Sequence, residues 1–127
     1  MKPRENAETL LGKAEEDLFV LRAFVTESRA TDMVWGFHAQ QTTEKSLKAW
    51  LAAHEVSYPF THQLSDLFSL CQEHGFQLDE IYLELIDVTS FAMELRYGSM
   101  GPETDRLDRA HLLTLIGELW TLVRKSF

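Results

Sequence analysis

Apolar residues recur along this chain with the three-then-four spacing of a helix face, and nowhere with the alternation of a strand. In the first stretch they fall at Ala7, Leu11, Ala14, Leu18, Leu21 and Val25. That predicts a helix from Pro3 to Arg29, with Pro3 in the first turn, where its missing N–H costs nothing. Thr31 or Asp32 suits the N-cap of a second helix from Met33 to His54, its apolar content in Met33, Val34, Phe37, Leu47, Trp50 and Leu51. A loop with Pro59 follows from Glu55 to Thr61. Leu64, Leu67, Phe68 and Cys71 predict a third helix from Leu64 to His74, stopped at Gly75. Ile81, Leu85, Val88, Ala92 and Leu95 predict a fourth from Asp79 to Tyr97. The segment Gly98-Ser99-Met100-Gly101-Pro102 breaks the pattern. Thr104 or Asp105 then offers a cap for a last helix to Lys125, with Leu112, Leu115, Ile116, Leu119 and Val123 on one face.

About five helices with short connections predict an all-α, antiparallel up-and-down helical bundle. At 127 residues the chain has the length of one domain, so residues 1–127 are expected to fold as a single unit. Hydrophobic residues make up 45% and charged residues 25%, which excludes disorder by composition. Cys71 is the only cysteine, so an intrachain disulfide and a cysteine-based zinc site are excluded, and a buried structural thiol is expected. No run approaches the roughly 18 apolar residues of a membrane span, and the charged start of the chain does not resemble a secretion signal. A soluble, cytoplasmic protein with no membrane partner is expected. The net charge of −8 argues against broad, non-specific attraction to nucleic acid.

Candidate chemistry concentrates in the second helix. Gln41, Glu44, Lys45 and Lys48 stand three and four residues apart, and Glu44 precedes Lys48 by four, the favourable order for an ion pair. The pattern fits a solvated face with intrahelical salt bridges. It equally fits a polar cleft in which Lys45 and Lys48 meet an anion that Gln41 and Glu44 orient. His38 lies among apolar residues and is expected to bond a nearby carbonyl, and His62 is expected to cap or line the loop. His54 and His74 sit near helix ends, where the dipole accounts for them. No histidine pair has the spacing of a helical metal site, and no phosphate loop, Ser–His–Asp order or dinucleotide fingerprint occurs, so no metal or cofactor is expected. Trp35, Trp50, Phe91 and Trp120 are expected in the core, with one tryptophan available to an interface.

The string Phe37-His38-Ala39-Gln40-Gln41-Thr42-Thr43-Glu44-Lys45-Ser46-Leu47-Lys48-Ala49 resembles the second helix of the HEPN family. Thr61-His62-Gln63-Leu64 resembles the element before that family's third helix, with Gln63 in place of the usual acid. Arg96-Tyr97 resembles the close of its fourth helix, with Gly98 where proline is usual. The resemblance implies a helical bundle, often homodimeric, that acts beside a minimal nucleotidyltransferase and is proposed to bind nucleotides. Gln41, Glu44, Lys45, Lys48, His62, Arg96 and Tyr97 would then form the nucleotide or partner site. Another branch of the family consists of metal-independent ribonucleases of toxin–antitoxin pairs, marked by an arginine followed about four to six residues later by a histidine. No histidine follows Arg96 at that distance, but Arg106 and His111 satisfy the spacing at the start of the last helix. Three readings result: a binding module without catalysis of its own, a toxin-type ribonuclease using Arg106 and His111, or a bundle whose polar cluster only fixes helix register.

Overall fold

The computed structural model describes residues 2–90 and 107–127. All regular structure among them is helical: α1 (Pro3–Ala23), α2 (Asp32–Ala53), α3 (Leu64–Glu73), a 3₁₀ helix (Glu80–Val88) and α4 (Arg109–Lys125). The bundle is up-and-down, as long-range hydrogen bonds show. Trp35 at the start of α2 donates to the carbonyl of Leu21 near the end of α1, and His38, one turn on, meets Asp17, one turn back. Likewise Arg109 reaches Phe24, whereas Trp120 reaches Leu11, so α4 also runs against α1.

α2 is the central element. Its buried residues run from Trp35 to Ala52 and include the polar Gln40, Thr42, Thr43, Glu44 and Ser46. Thr42, Thr43 and Ser46 satisfy their hydroxyls by donating to carbonyls four residues back, which lets small polar side chains sit against neighbouring helices. The core around α2 joins Leu11, Leu18 and Leu21 of α1 to Leu64, Leu67 and Phe68 of α3 and to Leu115, Ile116 and Leu119 of α4. Cys71 is fully buried in it, and burial pushes its thiol up to about 12. Trp35 and Trp50 are buried, so neither is free for an interface; Trp120 is partly exposed, and Phe91 lies outside the described residues.

The elements differ from the sequence pattern in three places. α1 stops at Ala23 rather than Arg29, and Val25 lies beyond it, half-buried. The cause is distant in sequence: Arg109 gathers the carbonyls of Phe24, Glu27 and Ala30, which holds that segment as a turn. The fourth helix is 3₁₀ over Glu80–Val88, passing into α geometry only at Thr89 and Ser90; its expected remainder lies outside the described residues. Three residues per turn place Tyr82, Leu85 and Val88 on one side, so Tyr82 packs on the core while Ile81 is left exposed. α4 begins at Arg109, not after Thr104 or Asp105, because the Asp108 side chain accepts from the His111 N–H at 3.2 Å.

Two helix ends share one capping geometry. After α3, Gly75 has φ +75°, with Phe76 N–H bonded to the Cys71 carbonyl and Gly75 N–H to that of Gln72. After α2, Val56 N–H bonds to Leu51 and Glu55 N–H to Ala52 in the same arrangement, but the left-handed residue is Glu55, φ 57°.

Candidate functional site

Glu44 occupies the middle of α2, and its side chain is 7% exposed. A carboxylate so buried must be matched by donors. Gln40, one turn earlier, donates from Nε2 to Oε1 at 2.8 Å; Lys48, one turn later, donates from Nζ to Oε2 at 3.0 Å. The remaining partner comes from the loop before α3: His62 Nδ1 lies 3.0 Å from Oε1. An ionised carboxylate only accepts, so Nδ1 carries the proton. Gln40 also donates to the His62 backbone carbonyl at 2.9 Å, and Gln41 donates to Gln40 Oε1 at 2.7 Å. One turn of α2 thus holds the loop by both the ring and the backbone of His62. Burial pushes the Glu44 carboxyl up, but the donors Gln40, His62 and Lys48 together outweigh it and hold it below its usual value.

The outer edge of this network is aromatic. Lys48 Nζ lies 5.7 Å from the Tyr58 ring centre and 6.0 Å from that of Phe60. Phe60 also meets the His62 ring edge-on at 5.7 Å, yet is 94% exposed. Burial, and then the negative charge of Glu44, push the Tyr58 phenol up, so it stays neutral.

The four polar residues of α2 do not converge. Lys45 is about 100° round the helix from Glu44 and turns to α1, where its Nζ lies 2.6 Å from Asp17 Oδ2. His38 joins it, Nδ1 at 2.9 Å from Asp17 Oδ1, so its partner is a carboxylate rather than a neighbouring carbonyl. Lys45, His38 and Asp17 therefore clamp α1 to α2, while Gln41, Glu44, Lys48 and His62 serve the loop before α3. Neither the solvated face nor the open cleft describes the arrangement: Glu44 is buried and paired on each oxygen. His74 bonds the Leu70 carbonyl at 2.9 Å, in keeping with its place at a helix end.

Arg96, Tyr97 and Arg106 lie outside the described residues. His111 is exposed on α4, its Nε2 at 2.7 Å from Glu84 Oε2 on the 3₁₀ helix. It belongs to neither α2 cluster. Among the described residues no group of three or more His, Cys, Asp or Glu is placed to hold a metal ion. Nor is any of their helices long and apolar enough to cross a membrane.

The HEPN-domain family model matches residues 7–126, nearly the whole chain and every element described above. The chain belongs to the HEPN family. No curated protein and no solved structure matches it. In this HEPN domain the motif residues of α2 and of the loop before α3 meet at Glu44, 18 residues from His62 in sequence.

Tyr58 and Phe60 were not singled out from sequence. The signal available was an aromatic pair around Pro59, close before a motif histidine. Shallow grooves lie elsewhere among the described residues. One of about 580 Å³ runs along α4 beside Arg22 and Tyr82, and one of about 350 Å³ is lined by Glu8, Gly12, Glu15 and Trp120. Residues of the Glu44 network line neither of them.

Proposed function

We propose that this HEPN domain is a nucleotide- or partner-binding module without catalysis of its own, working as a two-fold homodimer beside a minimal nucleotidyltransferase. The observation that carries the reading is Lys48. An ammonium group has three donors, and among the described residues Glu44 takes one, with two aromatic rings flanking the rest. Such a group offers charge-assisted hydrogen bonds to an incoming anion or acidic side chain. Gln41, Glu44 and His62 hold it in place, and Arg96 and Tyr97 belong to the same proposed site; Lys45, paired with Asp17, supports it from the α1 side.

Titration of the purified protein with nucleotides and with a neighbouring nucleotidyltransferase tests this. Lys48→Ala should weaken binding by about 1–3 kcal/mol, the scale of a charge-assisted hydrogen bond. Lost stability with unchanged binding would make the cluster architecture alone. The competing reading, a metal-independent toxin-type ribonuclease using Arg106 and His111, predicts cleavage of single-stranded RNA that disappears in His111→Ala. A monomeric mass by light scattering at tens of micromolar protein would remove the homodimer.

A further inference from the structure

We infer, resting on the homodimer in the reading above, that two copies of this chain meet through the outer seam between α1 and α4, with their α1 helices antiparallel across a two-fold axis at the level of Phe19. The first observation is the placement of Phe19. A single exposed apolar side chain is ordinary on a protein surface. This one, however, lies inside α1 rather than in a loop, and at 72% it is the most exposed large hydrophobic residue of the described helices. It belongs to a stripe of exposed residues, Glu8, Gly12, Glu15, Phe19 and Arg22, at the four-then-three spacing with which helices pack side by side. The register of α4 sets a second stripe beside it. Trp120 binds the Leu11 carbonyl and Arg109 that of Phe24, so Trp120 stands level with Gly12, and the half-buried Leu113 level with Phe19. Both grooves described above border this seam: Gly12, Glu15 and Trp120 line one, Arg22, Leu113 and Gly117 the other.

The second observation is the pair of glycines. Glycine inside a helix is less favourable than alanine. A Cβ at Gly12 or Gly117 would meet no atom within 4 Å, so packing within the chain requires neither. Their missing side chains leave the seam hollow, where another surface can approach closely. Charge selects the occupant. Glu15 and Arg22 are opposite in sign, seven residues apart and on either side of Phe19. Two antiparallel α1 helices, related by an axis midway between those positions, bring Glu15 of each copy opposite Arg22 of the other and set the two Phe19 rings together. The stripe is complementary to itself, as a two-fold contact demands.

Sedimentation equilibrium of the whole protein tests this. Phe19→Asp should weaken the dimer about a hundredfold or more while keeping the helical circular dichroism of the parent. Glu15→Arg alone, or Arg22→Glu alone, sets like charges opposite each other twice per dimer and should weaken it about tenfold. The double variant should restore association, and so should an equimolar mixture of the two single variants; a damaged fold would not be rescued by mixing. A dimer unmoved by Phe19→Asp and by both reversals would have its interface elsewhere, which overturns this face and leaves the homodimer standing. Loss of nucleotidyltransferase binding in these variants, with the dimer intact, would give the seam to that partner and overturn the inference likewise. A parent that is monomeric at every concentration would overturn both.

Discussion

Lys48 and Glu44 form a buried ion pair across one turn of α2, Nζ to Oε2 at 3.0 Å, while Oε1 of the same carboxylate faces His62 from another part of the chain. The two partners are not equivalent. Without Lys48, Glu44 keeps Gln40 and His62; without Glu44, Lys48 is left as a buried charge whose anion is gone. Glu44→Ala should therefore cost about 3–5 kcal/mol, and Lys48→Ala about 1–3 kcal/mol. Urea unfolding of the two variants checks the order. Equal losses would show that the loop, not the carboxylate, organises the network.

Acid should reveal the same group. The folded chain holds Glu44 below its usual 4.5, so it stays ionised where the unfolded chain already takes up a proton. Its contribution is complete above the unfolded value and is lost as pH falls through the folded one. Between pH 5 and the acid transition, stability of Glu44→Gln should fall less steeply than that of the parent. Parallel curves would mean that Glu44 titrates alike in both states.

Arg109, the first residue of α4, is expected to be the most sensitive charged residue among those that hold the loop between α1 and α2. Its guanidinium pairs with Asp32 at 2.8 Å, donates to the carbonyls of Phe24, Glu27 and Ala30, and lies 5.7 Å from the Trp35 ring. The other oxygen of Asp32 accepts from Leu107 N–H at 2.9 Å, so the pair also fixes the chain entering α4. Arg109→Ala should cost about 3–5 kcal/mol. Arg109→Lys should recover little, because an ammonium cannot reproduce the planar fork. Full rescue by lysine in thermal unfolding would reduce the site to simple charge pairing.

The matched caps after α2 and α3 make opposite predictions. Glu55 adopts the left-handed conformation at a cost that glycine avoids. Glu55→Gly should stabilise by about 0.5–1 kcal/mol. Gly75→Ala should destabilise by about 1 kcal/mol; a Cβ there meets no atom within 4 Å, so the penalty is in the backbone alone. Chemical denaturation of both reads the signs directly.

His111 offers a test of the 3₁₀–α4 contact. The hydrogen bond to Glu84 raises its pKa above 6.5, helped by the charges of Glu84 and Asp108. Its protonated form is favoured in the fold, so any stabilisation is present below the unfolded value and is lost as pH rises through the folded one. In an NMR titration the His111 midpoint should lie above 6.5 and drop in Glu84→Gln. An unmoved midpoint would disprove the pairing.

The amino-acid pattern alone determined the helical class, the core faces of α1, α3 and α4 and the stop at Gly75, and it narrowed the cap of α2 to Thr31 or Asp32, of which the structure uses Thr31. These follow from interactions within about four residues, which spacing records directly. The motif string in α2 likewise carried the family. Tertiary structure alone decided how its polar residues divide. A period of 3.6 residues puts Lys45 and Lys48 on neighbouring stripes, but only the packed bundle sets Asp17 against one and the His62 loop against the other. The end of α1 was hidden for the same reason. Arg109 lies 85 residues from the Phe24 carbonyl it binds, and no local pattern contains a bond made at that distance along the chain.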